Sequence, residues 1–179
     1  MLATAFDGGF ALPSLRQAGS NLGEEILLAY SPSGDQLVTG DSLGQVSVWD
    51  GGAERRTAVI SENFAVADGA PAESVTALAY SPDGRILAVA GDYGTVRLWD
   101  TDSSRPLGSA LPTASDVVQA LSFSEDGRTL LVAGEHVPLQ KFAVDPERVT
   151  AAVCKRAGGG LSRSDWKTYI PEVPYREVC

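Results

Sequence analysis

The sequence predicts an all-β chain made of repeated sheet units and followed by a small α-helical cap. Two observations give the repeats, and a change of pattern after Asp145 gives the cap. The first is a heptapeptide. Leu28-Ala29-Tyr30-Ser31-Pro32-Ser33-Gly34 returns as Leu78-Ala79-Tyr80-Ser81-Pro82-Asp83-Gly84 and, loosened, as Leu121-Ser122-Phe123-Ser124-Glu125-Asp126-Gly127, at spacings of 50 and then 43 residues. Self-similarity at such a period marks a repeat architecture, in which each unit buries its apolar face only against its neighbours. The second observation is that each copy leads into an apolar run, a glycine-containing turn and a second apolar run.

In chain order the runs are Gln36 to Gly40 and Gln45 to Asp50, then Ile86 to Gly91 and Thr95 to Asp100, then Thr129 to Gly134 and Pro138 to Val144. Short β-branched and aromatic runs with turn residues at both ends read as strands joined by tight hairpins. In Ser81-Pro82-Asp83-Gly84 the proline presets φ for a turn, and the glycine supplies the backbone freedom at its exit. Within Thr95 to Trp99, Val96 and Leu98 fall on one face and Arg97 and Trp99 on the other, the alternation of a strand packed between layers. Upstream, Leu2 to Gly9 aligns with Leu87 to Gly94 at an offset of 85, as though the chain began halfway through a unit.

The units from Ile26 to about Asp145 resemble the WD-repeat family, with Trp49-Asp50 and Trp99-Asp100 as the namesake dipeptides and Phe142-Ala143 in their place in the third copy. The resemblance implies that each unit is one four-stranded propeller blade. The expected fold is therefore a partial WD-repeat β-propeller of about three to three and a half blades. Residues 1–22 are expected to be a partial blade or linker, 23–145 three blades, and 146–179 a helical tail. Trp49, Asp50, Trp99, Asp100 and Phe142 are the expected structural blade residues.

Family blades commonly carry a buried polar network linking a histidine before the first strand to a Ser or Thr, the Trp and a turn Asp. The present sequence departs from that. No Gly-His precedes Val75 or Val118, and the turn-Asp position holds Leu43, Tyr93 and His136, with Asp92 one residue early. Trp49 and Trp99 are then expected to act as packing groups in blades held chiefly by apolar stacking.

After Asp145 the pattern turns helical. Glu147 to Ala157 reads as a helix with Pro146 in its first turn, Gly158-Gly159-Gly160 breaks it, and Ser162-Arg163-Ser164-Asp165 resembles a capping box opening a second short helix through Tyr169. Asp145-Pro146-Glu147, Cys154, Leu161-Ser162, Trp166, Tyr169, Pro171, Pro174-Tyr175-Arg176 and Cys179 resemble the tail of many bacterial WD-repeat proteins. In those proteins the N-terminal half is often an NTPase or a caspase-like protease of the signalling or defence type.

Composition bounds the function. The chain has 179 residues, 44% hydrophobic and 21% charged, a balance ordinary for a globular protein. A net charge of -9 argues against an electrostatic grip on nucleic acid or an anionic membrane. No apolar run approaches the ~20 residues of a membrane span. Met1 to Phe10 carries Asp7 and no positive charge, so it does not read as a secretory signal, and cytoplasmic residence is expected.

No catalytic, metal or cofactor site is expected. His136, the only histidine, stands in a turn, where a structural or solvent-exposed role is expected. Cys154, Cys179 and His136 lack the close spacing of zinc ligands. The two cysteines are expected to be buried thiols in a cytoplasmic chain, with a bridge under oxidation as the alternative. The triple glycine lies between helices rather than in a strand-to-helix phosphate loop. Asp83, Asp92, Asp126 and Glu135 read as turn residues.

Binding remains. The expected function is a non-catalytic protein-interaction or scaffold module; the alternative is the sensor or regulatory end of a signalling NTPase or caspase-like protease. The expected partner is a protein. Too few blades to close a ring also imply that the chain is the C-terminal part of a larger propeller, is completed by a complementing propeller chain, or self-associates through its first blade. The longest connection, Ser61 to Glu73, offers Phe64 as a candidate contact, weighed against a side chain tucked over the blade edge.

Overall fold

A computed structural model of the chain describes residues 27–60, 73–114, 116–136, 138–177 and 179. Contacts divide the chain into two compact units, up to Phe142 and from Ala143 to Cys179.

Among its described residues the first unit is all-β. A four-stranded antiparallel sheet contains β1 (Leu27–Tyr30), β2 (Gln36–Gly40), β3 (Val46–Asp50) and β4 (Arg56–Ile60), in that order. The next repeats it with β5 (Val75–Tyr80), β6 (Ile86–Gly91), β7 (Val96–Asp100) and the short β8 (Arg105–Pro106). The third has β9 (Val118–Phe123), β10 (Thr129–Gly134) and β11 (Gln140–Ala143), three strands among the described residues. The first strands stack across the sheets, β1 against β5 and β5 against β9. This is the architecture of a partial propeller.

Each repeated heptapeptide builds the same turn. Ser81 Oγ donates to Asp83 Oδ1 at 2.6 Å and accepts from the N–H of Ile86 at 2.9 Å, while the Gly84 N–H donates to the Ser81 carbonyl at 2.9 Å. Ser124, Asp126 and Thr129 repeat the pattern at 2.6 and 3.0 Å. In the first copy, where Ser33 replaces the aspartate, Asp35 supplies the carboxylate to Ser31 Oγ at 3.0 Å. The turns exit through Gly34, Gly84 and Gly127 at φ of 79°, 74° and 68°, the left-handed region where glycine carries no Cβ penalty.

Register fixes the faces. In the first sheet Ala29, Val38, Val48 and Ala58 are paired in a row and point one way, and Leu37 and Trp49 point the other. In the second sheet Leu87 pairs with Trp99 on the face turned to the first, so that Val38, Val48, Leu87, Val89 and Trp99 share one buried cluster. The opposite face of the second sheet, with Ala88, Ala90 and Val96, is fully buried too. A sheet buried on both faces can carry apolar residues in consecutive positions, as Leu87 to Ala90 do.

The second unit contains α1 (Pro146–Ala157) and α2 (Arg163–Tyr169). Gly158, at φ 75°, ends α1, and the N–H of Gly159 returns to the Cys154 carbonyl at 3.2 Å. Ser162 caps α2 by accepting the Asp165 N–H at 3.1 Å, and Asp165 Oδ2 accepts the Ser162 hydroxyl at 2.6 Å rather than reaching back to a backbone N–H. Trp166 is buried, donates Nε1 to the Val173 carbonyl at 2.8 Å, and meets Tyr175 edge-on at 5.7 Å between ring centroids.

The expectation of buried thiols is corrected here. Cys154 and Cys179 form a disulfide, Cα to Cα 5.4 Å across 25 residues. The compartment argument for thiols ignored the path of the chain, which turns back after α2 and delivers Cys179 beside the exit turn of α1. Closing a loop of this length removes unfolded-chain entropy on the order of 3 kcal/mol.

Candidate functional site

The hairpins between the second and third strands of each sheet form a continuous rim. Three backbone turns present their N–H groups there, and each receives a carboxylate. In the first sheet Asp41, itself in the turn, accepts from the N–H groups of Leu43 and Gln45, both at 2.9 Å. In the second, the equivalent N–H groups of Tyr93 and Thr95 donate to Glu73 Oε1 at 2.8 and 3.0 Å, and Glu73 comes from the segment before β5. In the third, the His136 N–H donates to Asp116 Oδ2 at 2.7 Å. Pro138 stands at the second donor position there and has no N–H to give.

The exchange is reciprocal. Where Asp41 fills the turn from within, the second and third sheets have Gly91 and Gly134. A Cβ at Gly91 would stand 2.4 Å from the Glu73 carboxyl group, and one at Gly134 2.4 Å from Asp116 Oδ2. One carboxylate fits each turn, and it arrives by one of two routes.

The segments that bring the carboxylates also tie one turn to the next. The Val75 N–H donates to the Asp41 carbonyl and Ser74 Oγ to the Ser42 carbonyl, both at 3.0 Å, while the Ser74 N–H donates to Asp92 Oδ1 at 3.0 Å. Between the second and third turns, Thr113 Oγ1 donates to the Gly94 carbonyl, and the Glu135 N–H to the Val117 carbonyl at 3.0 Å. The three turns therefore stand along one edge of the stacked sheets.

Their tips point outward. Leu43 is 61% exposed and Tyr93 59%, and the His136 side chain, at the same turn position, is 79% exposed. His136 Nδ1 lies 3.2 Å from Asp116 Oδ1. That hydrogen bond, then the charges of Glu135 and Asp116, raise the histidine pKa above its ordinary value.

Trp49 and Trp99 are buried; Asp50, Asp100 and Phe142 are half-buried. Trp49 does more than pack: its Nε1 donates to Thr39 Oγ1 at 3.1 Å. Trp99 has Val89 at the Thr39 position, and its Nε1 is buried with no acceptor among the described residues. Asp50 Oδ1 accepts the Glu54 N–H at 2.8 Å and Asp100 Oδ1 the Ser103 N–H at 2.7 Å, each capping the turn after its strand. Hydrogen bonding from the Ser103 side chain and backbone lowers the Asp100 pKa. Phe64 lies outside the described residues.

Asp83 and Asp126 serve their own turns, while Asp92 instead holds Ser74 of the incoming segment. Among the described residues no group of three His, Cys, Asp or Glu side chains could hold a metal ion. His136 has Asp116 beside it, and the pair stands at the surface of a turn.

Sequence reasoning missed Asp41, Glu73 and Asp116, having looked for a histidine before the strand and an aspartate in the turn. The signal was present as a reciprocal pattern. At equivalent positions the copies read Gly23 with Asp41, Glu73 with Gly91, and Asp116 with Gly134. The first and second sheets stack on the apolar cluster of Val38, Val48, Leu87, Val89 and Trp99, as expected, and carboxylates in addition hold the turns where the family's network is missing.

Stacked antiparallel sheets of one repeated register, joined edge to edge by short bonded segments, define a repeat protein of the propeller class. The family model described as WD domain, G-beta repeat matches residues 28–50 and 66–100, so these two stretches are similar to WD repeats. No curated protein matches it.

Proposed function

We propose that the chain is a non-catalytic protein-interaction module, and that the rim of hairpin turns is its contact surface. The observation that carries this is the row of Leu43, Tyr93 and His136, exposed at one turn position in three successive sheets on backbones fixed by buried or half-buried carboxylates. A rigid turn presenting a large apolar or aromatic side chain loses little entropy on binding, which suits a contact residue. WD repeats generally mediate protein interactions, in keeping with a scaffold. The partner is a protein rather than nucleic acid or membrane, since the net charge of -9 repels both polyanions. Residence is cytoplasmic.

The test uses the whole chain as bait and a triple variant, Leu43→Asp, Tyr93→Asp and His136→Asp. Capture of the natural partner should fall at least tenfold with an unchanged melting temperature. Undiminished capture would remove the rim from the proposal. A hydrolase activity lost on His136→Ala would overturn the non-catalytic reading.

A second reading makes the chain the regulatory end of a bacterial signalling NTPase or caspase-like protease. It is supported by the tail, where Cys154, Trp166, Tyr175 and Cys179, which carry the resemblance to such proteins, are the residues that tie the second unit together. Coding sequence upstream and in frame, with a nucleotide-binding loop or protease dyad, would favour it.

A further inference from the structure

We propose that the unit from Ala143 to Cys179 is a thiol-sensitive element, in which the Cys154–Cys179 disulfide decides whether α1 is folded. From Val149 to Ala157 every residue of α1 is exposed except Cys154, which is half-buried. A helix of 12 residues with so little buried surface is marginal in water. The buried centre of the unit is elsewhere. Trp166 is packed by Tyr175 and bonded to Val173, and the Arg163 guanidinium lies 4.7 Å from the Tyr175 ring centroid, which joins α2 to the segment after it. The covalent link from α1 to that centre is Cys154–Cys179.

Reduction then has a defined course. The thiolate of a low-molecular-weight thiol attacks Sγ of the exposed Cys179, forming a mixed disulfide and releasing the Cys154 thiolate, which takes up a proton. A second thiolate of the same class attacks the mixed disulfide, yielding the external disulfide and the Cys179 thiolate. Two electrons pass from the external thiols to the protein. With the tether gone, the exposed stretch from Val149 to Ala157 has little burial to hold it, and α1 frays. Val149 and Val153, exposed four residues apart on one stripe, are displayed together only in the bonded form. In a reducing compartment the open form is the resting state and oxidation closes it. The proposal stands independently of the interaction reading.

Amide hydrogen exchange on the full chain tests it, with and without dithiothreitol, and with alkylation and mass measurement reporting the thiols. Reduction should lower protection across 146–157 at least tenfold while peptides from β2, β3, β6 and β7 keep theirs, and glutathione disulfide should restore it. Cys154→Ser with Cys179→Ser should reproduce the reduced pattern in the absence of reductant. Full protection of 146–157 with both thiols alkylated overturns the proposal. So does a bond that resists dithiothreitol in the folded chain, or a pair of thiols that glutathione disulfide leaves unbridged.

Discussion

At the scale of the residue, the two tryptophans occupy equivalent positions with different surroundings. Trp49 Nε1 has the Thr39 hydroxyl as acceptor, whereas Trp99 Nε1 faces Val89 and has none among the described residues. In the third copy the pair is Val132 and Phe142, and a phenylalanine has no N–H to satisfy. A buried unpaired donor costs about 1–3 kcal/mol, and a hydrogen bond made in its place returns about 1 kcal/mol net. Val89→Thr should therefore be neutral or stabilise by about 1 kcal/mol, although a buried Val→Thr change ordinarily destabilises. Thr39→Val should cost about 1–3 kcal/mol by stranding Trp49. Urea unfolding midpoints at constant m-value check both, and a destabilised Val89→Thr protein would mean that its hydroxyl does not reach Trp99.

His136 is the other informative residue, because as the only histidine it gives one imidazole signal by NMR. Its pKa is raised, first by the Asp116 hydrogen bond. A raised folded-state value means that the pair's contribution is complete below the unfolded histidine pKa and is lost as pH rises through the folded value. The titration midpoint should lie above that of an unfolded peptide of the same sequence, and Asp116→Asn should bring it down. The side chain is exposed, so global stability should change little across this window.

At the scale of the element, the hairpin turn is the unit that the repeats solve twice. Asp41 and Glu73 each take two backbone N–H groups on one oxygen, and bonds to a charged acceptor contribute about 1.5–3 kcal/mol. Glu73→Ala should destabilise by about 2–3 kcal/mol. Adding Gly91→Asp to Glu73→Ala should recover more than half of that loss, because it installs the arrangement of the first sheet at a position whose φ is not in the left-handed region. Gly91→Asp alone should destabilise, since its Cβ meets the Glu73 carboxyl group. Opposite signs for one substitution in two backgrounds is the measurable signature, read by thermal unfolding.

The same turns mark what was legible in the sequence. The strands were, because Ser-Pro-Asp-Gly chemistry and period-2 alternation are local signals, and β2, β6 and β10 fall on the apolar runs after each heptapeptide. The carboxylates were not, because Glu73 reaches a turn 20 residues away and is visible only by comparing copies. The disulfide was not, because spacing alone does not say where a chain turns back. Phe64 stays a sequence expectation.

At the scale of the whole molecule, the outer face of the third sheet is made, among the described residues, like the closed face of the second. Ala77, Ala88, Ala90, Val96 and Leu98 of the second sheet are buried against the third. Their equivalents in the third sheet are Ala120, Leu131, Ala133, Leu139 and Lys141, of which Leu139 is 54% exposed and Ala120 is exposed. At the other end Tyr30 is 48% exposed, where its equivalent Tyr80 is half-buried against the first sheet, with its phenol pKa pushed up to about 12 by desolvation; on the side of the first sheet that carries Tyr30, Leu37, Thr39, Ser47 and Trp49 are buried. Propellers close with four to eight blades, and an open face with unpaired edges invites association. The chain should therefore associate through the outer face of its third sheet, with a second copy or with a complementing propeller chain. The mass measured by light scattering should rise with concentration. Leu131→Glu with Leu139→Glu should hold it at the monomer value, whereas Tyr30→Lys should leave the association unchanged, because Leu37, Thr39, Ser47 and Trp49 on its side of the first sheet are already buried. A monomer at all concentrations that unfolds reversibly and binds no hydrophobic dye would show that this face needs no partner.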